Sequence, residues 1–209
     1  LGSSGASLNI GGSRFYPLGT GSLLLSGGSQ IDLIAAPGQA TVSIGREGSA
    51  FASLSGASRI EAGDGNVYVG RLEGSSGTLL LSEGSSLSAG WVGIGRNRLA
   101  GGGDVDGGFA TLMLDDSTLT AAHLVIGKNG LVGGDGGTII GSVINHGVLS
   151  IGKSPGSMLI DGGYTAGVDG RVIMEIEWDG GEFKTDQLFF SAGSVLDLAA
   201  LKVEFRFLG

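Results

Sequence analysis

Apolar positions recur along this chain in two short alternating patterns, each bounded by Gly, Ser or Asp. The first reads Leu-x-Leu-Ser-x-Gly-Ser-x-Ile/Leu; it covers Leu23 to Ile31, Leu79 to Leu87 and Leu112 to Leu119, with a weaker form at Ala52 to Ile60. The second reads Val-x-Ile, as in Val42-Ser43-Ile44, Val67-Tyr68-Val69, Val92-Gly93-Ile94 and Leu124-Val125-Ile126. Period-two alternation between turn residues predicts short β-strands. No segment carries the period of a sustained helix.

The second pattern runs each time into glycine and a base: Gly45-Arg46, Gly70-Arg71, Gly95-Arg96, Gly127-Lys128 and Gly152-Lys153. Successive glycines lie 25, 25, 32 and 25 residues apart, so one unit is copied with a single seven-residue insertion. A fixed period in this range predicts a solenoid. One short strand pair cannot bury its own apolar face, so equivalent positions of successive copies are expected to pair in parallel as a β-helix. At about 4.8 Å per layer, the chain would make on the order of eight coils and a rod of roughly 40 Å. Glycine at a fixed coil position supplies positive φ or lets adjacent coils approach.

The pattern changes after about residue 156. Val172, Met174, Ile176 and Trp178 alternate with Glu175 and Glu177, which places the four apolar residues on one core-facing side. Apolar strands around Leu188-Phe189-Phe190, Val195 to Leu198 and Leu201 to Phe207 follow. Residues 1–156 read as Gly/Ser-rich coils. Residues 157–209 read as an atypical C-terminal capping section that continues the same rod and covers its last apolar layer.

The 209 residues include 44 glycines, yet 41% are apolar, 15% are charged and the mean hydropathy is +0.31, which argues against a disordered linker. A net charge of −8 opposes nucleic acid and anionic membrane surfaces as partners. With no cysteine, neither a disulfide framework nor a thiolate metal site is available. No run approaches the length of a membrane-spanning helix, so no direct membrane insertion by this segment is expected. Leu1 opens the chain without a charged leader, so any export signal or anchor is expected outside these residues.

Residues 145 to 190 carry a further spacing. Ile144-Asn145-His146-Gly147 is followed by Ser150-Ile151-Gly152-Lys153-Ser154-Pro155-Gly156, Gly163-Tyr164, Glu175-Ile176 and Thr185-Asp186-Gln187-Leu188. This resembles the end of bacterial autotransporter passenger regions and related surface proteins with autotransporter-associated β-strand repeats. Their pattern runs Asn-x-Gly, two Ser-Pro-Gly turns, Gly-x-Tyr, Glu-Ile and Asp-x-Leu; here the first Ser-Pro-Gly is Ser150-Ile151-Gly152. The upstream coils, from about residue 20 to 137, look like the same family's Gly/Ser-rich repeats. The resemblance implies export, a right-handed parallel β-helix and a role at the bacterial outer membrane or cell surface.

Candidate chemistry is sparse. Asp104 and Asp106 lie in the glycine-rich insertion, with Asp135 in a second glycine loop, but calcium needs six to eight oxygens and the tandem nonapeptide repeat is missing. These read as solvated loops, with calcium the alternative. Glu175, Glu177 and Asp179 share a strand face; a glycosidase needs two carboxylates with separated roles, and a charged edge is the plainer reading. His123 and His146 lie 23 residues apart, close to one coil, where they could stack. No further ligands stand at metal spacing, so a structural role is favoured. Arg46, Arg71, Arg96, Lys128 and Lys153 would form a ladder of like charges, offset by Glu47, Glu73 or bound anions.

No catalytic, cofactor-binding or metal residue is assigned and no cofactor is expected. The expected function is a noncatalytic secreted or cell-surface scaffold acting in adhesion or surface structure. Its expected partner is a glycan or protein of a host or neighbouring cell, with self-association through edges or rod ends. The alternatives are a β-helical lyase or glycosidase acting on polysaccharide, and a protomer of an extracellular fibre.

Overall fold

The computed structural model describes residues 5–12, 18–99, 103–152 and 155–208. The protein is all-β, with 23 strands and no helix among the described residues; accordingly, no helix there is long and apolar enough to cross a membrane. The chain alternates between a 12-stranded and a 9-stranded sheet. Each strand pairs with its counterpart one repeat away, and pairing within both sheets is parallel except where Glu182–Thr185 turns back on Arg171–Asp179. Each repeat contributes three strand segments.

The segments stack their apolar residues in register. In the 9-stranded sheet one line runs Leu23, Ala52, Leu79, Leu112, Val132, Leu149, Val172 and Val203. In the 12-stranded sheet a second runs Ile31, Ile60, Leu87, Leu119, Ile139, Ile160 and Phe190. A third runs Leu8, Val42, Val67, Val92, Leu124, Val143, Tyr164 and Leu196. The middle members form one continuous buried core. Fully burying a side chain of this size contributes about 1.5–3 kcal/mol, so each repeat supports the next through several such contacts.

The first sequence pattern, taken as one strand, divides at its Ser-x-Gly-Ser. Leu23 and Leu25 belong to one sheet and Ile31 to the other. The turn between them holds Ala57, Glu83 and Asp116 at φ of 61°, 54° and 46°, and Ser58 Oγ closes one copy by donating to the Ser55 carbonyl at 2.7 Å.

Gly45, Gly70, Gly95 and Gly127 occupy one register position, each donating its N–H to the residue before the equivalent glycine of the preceding repeat, Ile10, Ile44, Val69 and Ile94. Gly152 does not join them. It follows Val148–Ile151 in the 9-stranded sheet, where Ile151 opposes Gly134. His146 and then Gly167 take the shared position, donating to Ile126 and Asn145 at 2.8 and 2.7 Å. The spacing therefore runs 25, 25, 32, 19 and 21 residues, because turns outside the strands absorb the change in length. Lys153 and Ser154, part of the expected charge ladder and turn, lie outside the described residues.

The motif residues of the 145–190 stretch form buried polar pins. Asn145 stands in the line of Ile44, Val69, Ile94 and Ile126; its amide donates to Tyr164 Oη at 3.0 Å and the Arg171 carbonyl at 3.2 Å and accepts from Gly147 N–H at 3.0 Å. The Asp186 carboxylate is buried and accepts from Gly156 N–H at 2.8 Å and Glu175 N–H at 2.6 Å. Each satisfies backbone groups that an apolar residue would leave orphaned.

The reading of Trp178 as core-facing is corrected. Arg171–Asp179 has nine residues, but its upstream neighbour pairs with it only from Arg171 to Ile173. Trp178 therefore overhangs the stack at 54% exposure and packs edge-on against Phe183, centroids 4.8 Å apart, across a hairpin. Val203–Leu208 adds a further parallel layer, with Val203 and Phe205 in register with Val172 and Met174, and Phe205 and Phe207 are 57% and 75% exposed.

Two outcomes are expected. Gly70 has φ +61° and an added Cβ would lie 2.5 Å from the Phe109 carbonyl oxygen, whereas Gly27, at φ +63°, has open space. Gly27→Ala should cost about 1–2 kcal/mol of strain and Gly70→Ala roughly twice that or more, by urea unfolding. Equal costs would show that close approach is not what requires glycine at residue 70. Burial raises the Tyr164 hydroxyl above its ordinary 10.0, the Asn145 hydrogen bond offsetting part of this. The unfolded chain then releases the proton first, so this contribution to stability is complete below pH 10.0 and is lost as pH rises toward the folded value. Thermal midpoints should fall above that pH, and Tyr164→Phe should flatten the fall.

Candidate binding site

Strand alternation turns Val42, Val67 and Val92 inward and leaves their neighbours on the outer side of the 12-stranded sheet. There, Thr41, Asn66, Trp91 and His123 form one line, and Ser43, Tyr68, Gly93, Val125 and Ile144 the next. Tyr68 and Trp91 are nevertheless only 4% and 3% exposed. With Val125 they make a second apolar cluster, Ile144 packed against it and the two rings 5.3 Å apart. Gly93 makes this arrangement sterically feasible. A Cβ there would lie 2.2 Å from Trp91 Cη2, so the missing side chain is the slot in which the indole lies.

The seven-residue insertion borders the cluster. It forms an antiparallel arm in which Arg96–Arg98 pairs with Asp104–Asp106, closed by an Arg96 to Asp106 salt bridge of 2.6 Å. Asn97 is buried and accepts from Arg71 Nε at 3.1 Å. Arg71 Nη1 also donates to Ser43 Oγ at 3.3 Å, and the guanidinium lies 4.2 Å from the Tyr68 ring centroid. Burial, ahead of the nearby Arg46, lowers Arg71 from its ordinary value, and burial raises the Tyr68 hydroxyl.

Between the arm and the Gly38–Gln39 turn lies a groove of about 520 Å³. Gln39, Thr41, Asp64, Asn66, Tyr68, Arg71 and Arg98 line it. Its size is within the usual range for small-ligand pockets, and its walls offer two cations, one carboxylate, amides and hydroxyls. This inventory suits a polar ligand. Among the described residues, no hydrogen bond joins the Asp64 carboxylate to the Thr41 or Tyr68 hydroxyl.

The other candidate residues are dispersed. His123 stands beside Trp91 and Ser142, while His146 lies four residues beyond Ser142 in the position of Gly127, so the histidines do not stack. Asp106 pairs with Arg96, and Asp135 accepts from Ser157 N–H at 2.9 Å. Among the described residues, no group of three or more His, Asp or Glu is placed to hold a metal ion. Glu175 and Glu177 stand opposite Arg206 and Lys184 in register, and Asp179 pairs with Lys184. The expected basic ladder diverges: Arg46 approaches Glu47, Arg71 covers Tyr68, Arg96 meets Asp106 and Lys128 is exposed.

The groove was missed by a reading centred on titratable clusters, although a signal existed. Tyr68 and Trp91 are aromatics at outward positions of successive repeats, where a solvated strand face carries Ser or Thr.

The chain is thus an all-β protein with parallel sheets and a polar groove on one outer face. No family model, curated protein or solved structure matches it.

With Trp178→Phe leaving Trp91 the one tryptophan of the original two, Gly93→Ala should red-shift the emission and increase acrylamide quenching. An unchanged spectrum would mean that the indole does not depend on the Gly93 slot.

Proposed function

We propose that the chain is a noncatalytic secreted or bacterial cell-surface scaffold of the autotransporter-passenger type, wound as a right-handed parallel β-helix and acting in adhesion or surface structure. The observation that carries this reading is the set of parallel, in-register apolar lines running from one end of the chain to the other. Such an array extends by repetition and offers a long outer face for contact. The buried roles of Asn145, Tyr164 and Asp186 add support, since these are motif residues of the resemblance. The cations opposite Glu175, Glu177 and Asp179 favour a charged strand edge over a carboxylate pair with separated roles.

The purified chain should release no product from pectin, alginate, chitin or xylan, and labelled protein should remain on washed cells that display surface glycans. Sustained release that disappears in Glu175→Gln or Glu177→Gln would replace the scaffold reading with the enzyme reading. Absence of cell retention would remove the adhesive role.

A further inference from the structure

We propose that the groove beside Tyr68 binds a carboxylate-bearing saccharide, with the sugar acid held by Arg98 and Arg71; this rests on the adhesive reading above and names its ligand.

Three observations converge on this assignment. The first is a pair of cations without a salt bridge, Arg98 standing opposite Asp104 in the arm. Arg71 is half-buried and held by two neutral acceptors, Ser43 Oγ and Asn97 Oδ1, and by the Tyr68 ring. Neither Arg71 nor Arg98 forms a salt bridge with a carboxylate among the described residues. Removing a guanidinium from water without an anion is costly, and planar guanidinium groups recognise carboxylates by paired hydrogen bonds. Two arginines and one Asp64 line this groove in a chain of net charge −8. A local cationic spot within an anionic surface admits a small acid and repels a polyelectrolyte such as nucleic acid.

The second is Tyr68. It is all but buried, its hydroxyl makes no hydrogen bond to another described residue, and it lines the groove. Tyr164, the other deeply buried tyrosine, has Asn145 as its partner. A hydroxyl that reaches the groove without a protein partner leaves a donor and acceptor for a bound molecule.

The third is the remaining lining. Gln39, Thr41, Asn66 and Asp64 supply amide, hydroxyl and carboxylate groups with no side-chain hydrogen bonds to other described residues, arranged along a trough of about 520 Å³. Mixed donors and acceptors of this kind match the vicinal hydroxyls of a sugar. A simple inorganic anion would use the arginines and leave the other groups idle. The Tyr68 ring, backed by Trp91, lies beneath Arg71, so it fixes the guanidinium and does not act as an open stacking platform.

The test is calorimetric titration of the 209-residue chain with trigalacturonate and with its fully methyl-esterified form, which keeps the sugar backbone and replaces each charge with a methyl ester. The acid should bind at least about ten-fold more tightly, since charge-assisted bonds are roughly twice as strong as neutral ones, and added salt should reduce the difference. Arg98 is exposed, so Arg98→Gln should leave the thermal midpoint in place and abolish the preference for the acid. Tyr68→Phe keeps the ring and removes only the unpartnered hydroxyl, so affinity should fall several-fold with no loss of stability.

Equal affinity for acid and ester, an Arg98→Gln chain that retains the preference, or no binding of either sugar would overturn the assignment. If the sugars do not bind while the chain still remains on cells, the ligand class is wrong and adhesion stands. If trigalacturonate binds as expected while cell retention is absent, the groove assignment holds and the adhesive reading fails.

Discussion

Parallel register between equivalent strands is the constraint on which everything else rests. A chain with 44 glycines loses much conformational entropy on ordering and has few large side chains with which to offset it. It succeeds because each apolar residue is used on both sides: Val67 packs against Val42 before it and Val92 after it, and the same holds for Ile60 and Leu79 in their lines. A slip by one residue would turn all of these outward at once, so the register is strongly specified wherever the lines are complete. It is less completely enforced at the last layer, where Phe205 and Phe207 have no layer above them among the described residues.

This constraint also explains what could be read from the sequence. Strand positions and the parallel relation of Gly45, Gly70 and Gly95 follow from a spacing that repeats. Where the repeat shortens, spacing misleads: Gly152 lies the usual distance from Gly127, yet belongs to the other sheet, while His146 stands in the glycine line. Gly167 makes that substitution feasible, since a Cβ there would meet His146 Nδ1 at 2.2 Å. The exposure of Trp178 has a related cause. Alternation identifies the side of a strand, but not whether a neighbouring strand extends far enough to cover it.

The groove is not legible in the sequence because it depends on contacts across three repeats. Arg71 and Asn97 are 26 residues apart, and nothing in either local segment says that they meet. The glycine at residue 93 is equally silent in a glycine-rich chain. Its significance appears only once the Trp91 indole is seen lying over it. The groove is built on an outer face by few substitutions, while the inward residues keep to the apolar pattern shared by the repeats.

The arm after Gly95 has a consequence for how such a surface could diversify. Its two ends are tied together by the Gly107 N–H to Gly95 carbonyl bond of 2.9 Å, and the strand that follows resumes pairing with Ser76 to Leu81 without a shift. An excursion closed at its base adds an entropic cost that grows only with the logarithm of its length. Segments of very different size and composition could therefore be exchanged at that point, and each would meet the same Tyr68 and Trp91 floor. The molecule separates a part that must stay constant from a part free to vary, so new specificity could be gained there without renegotiating the fold.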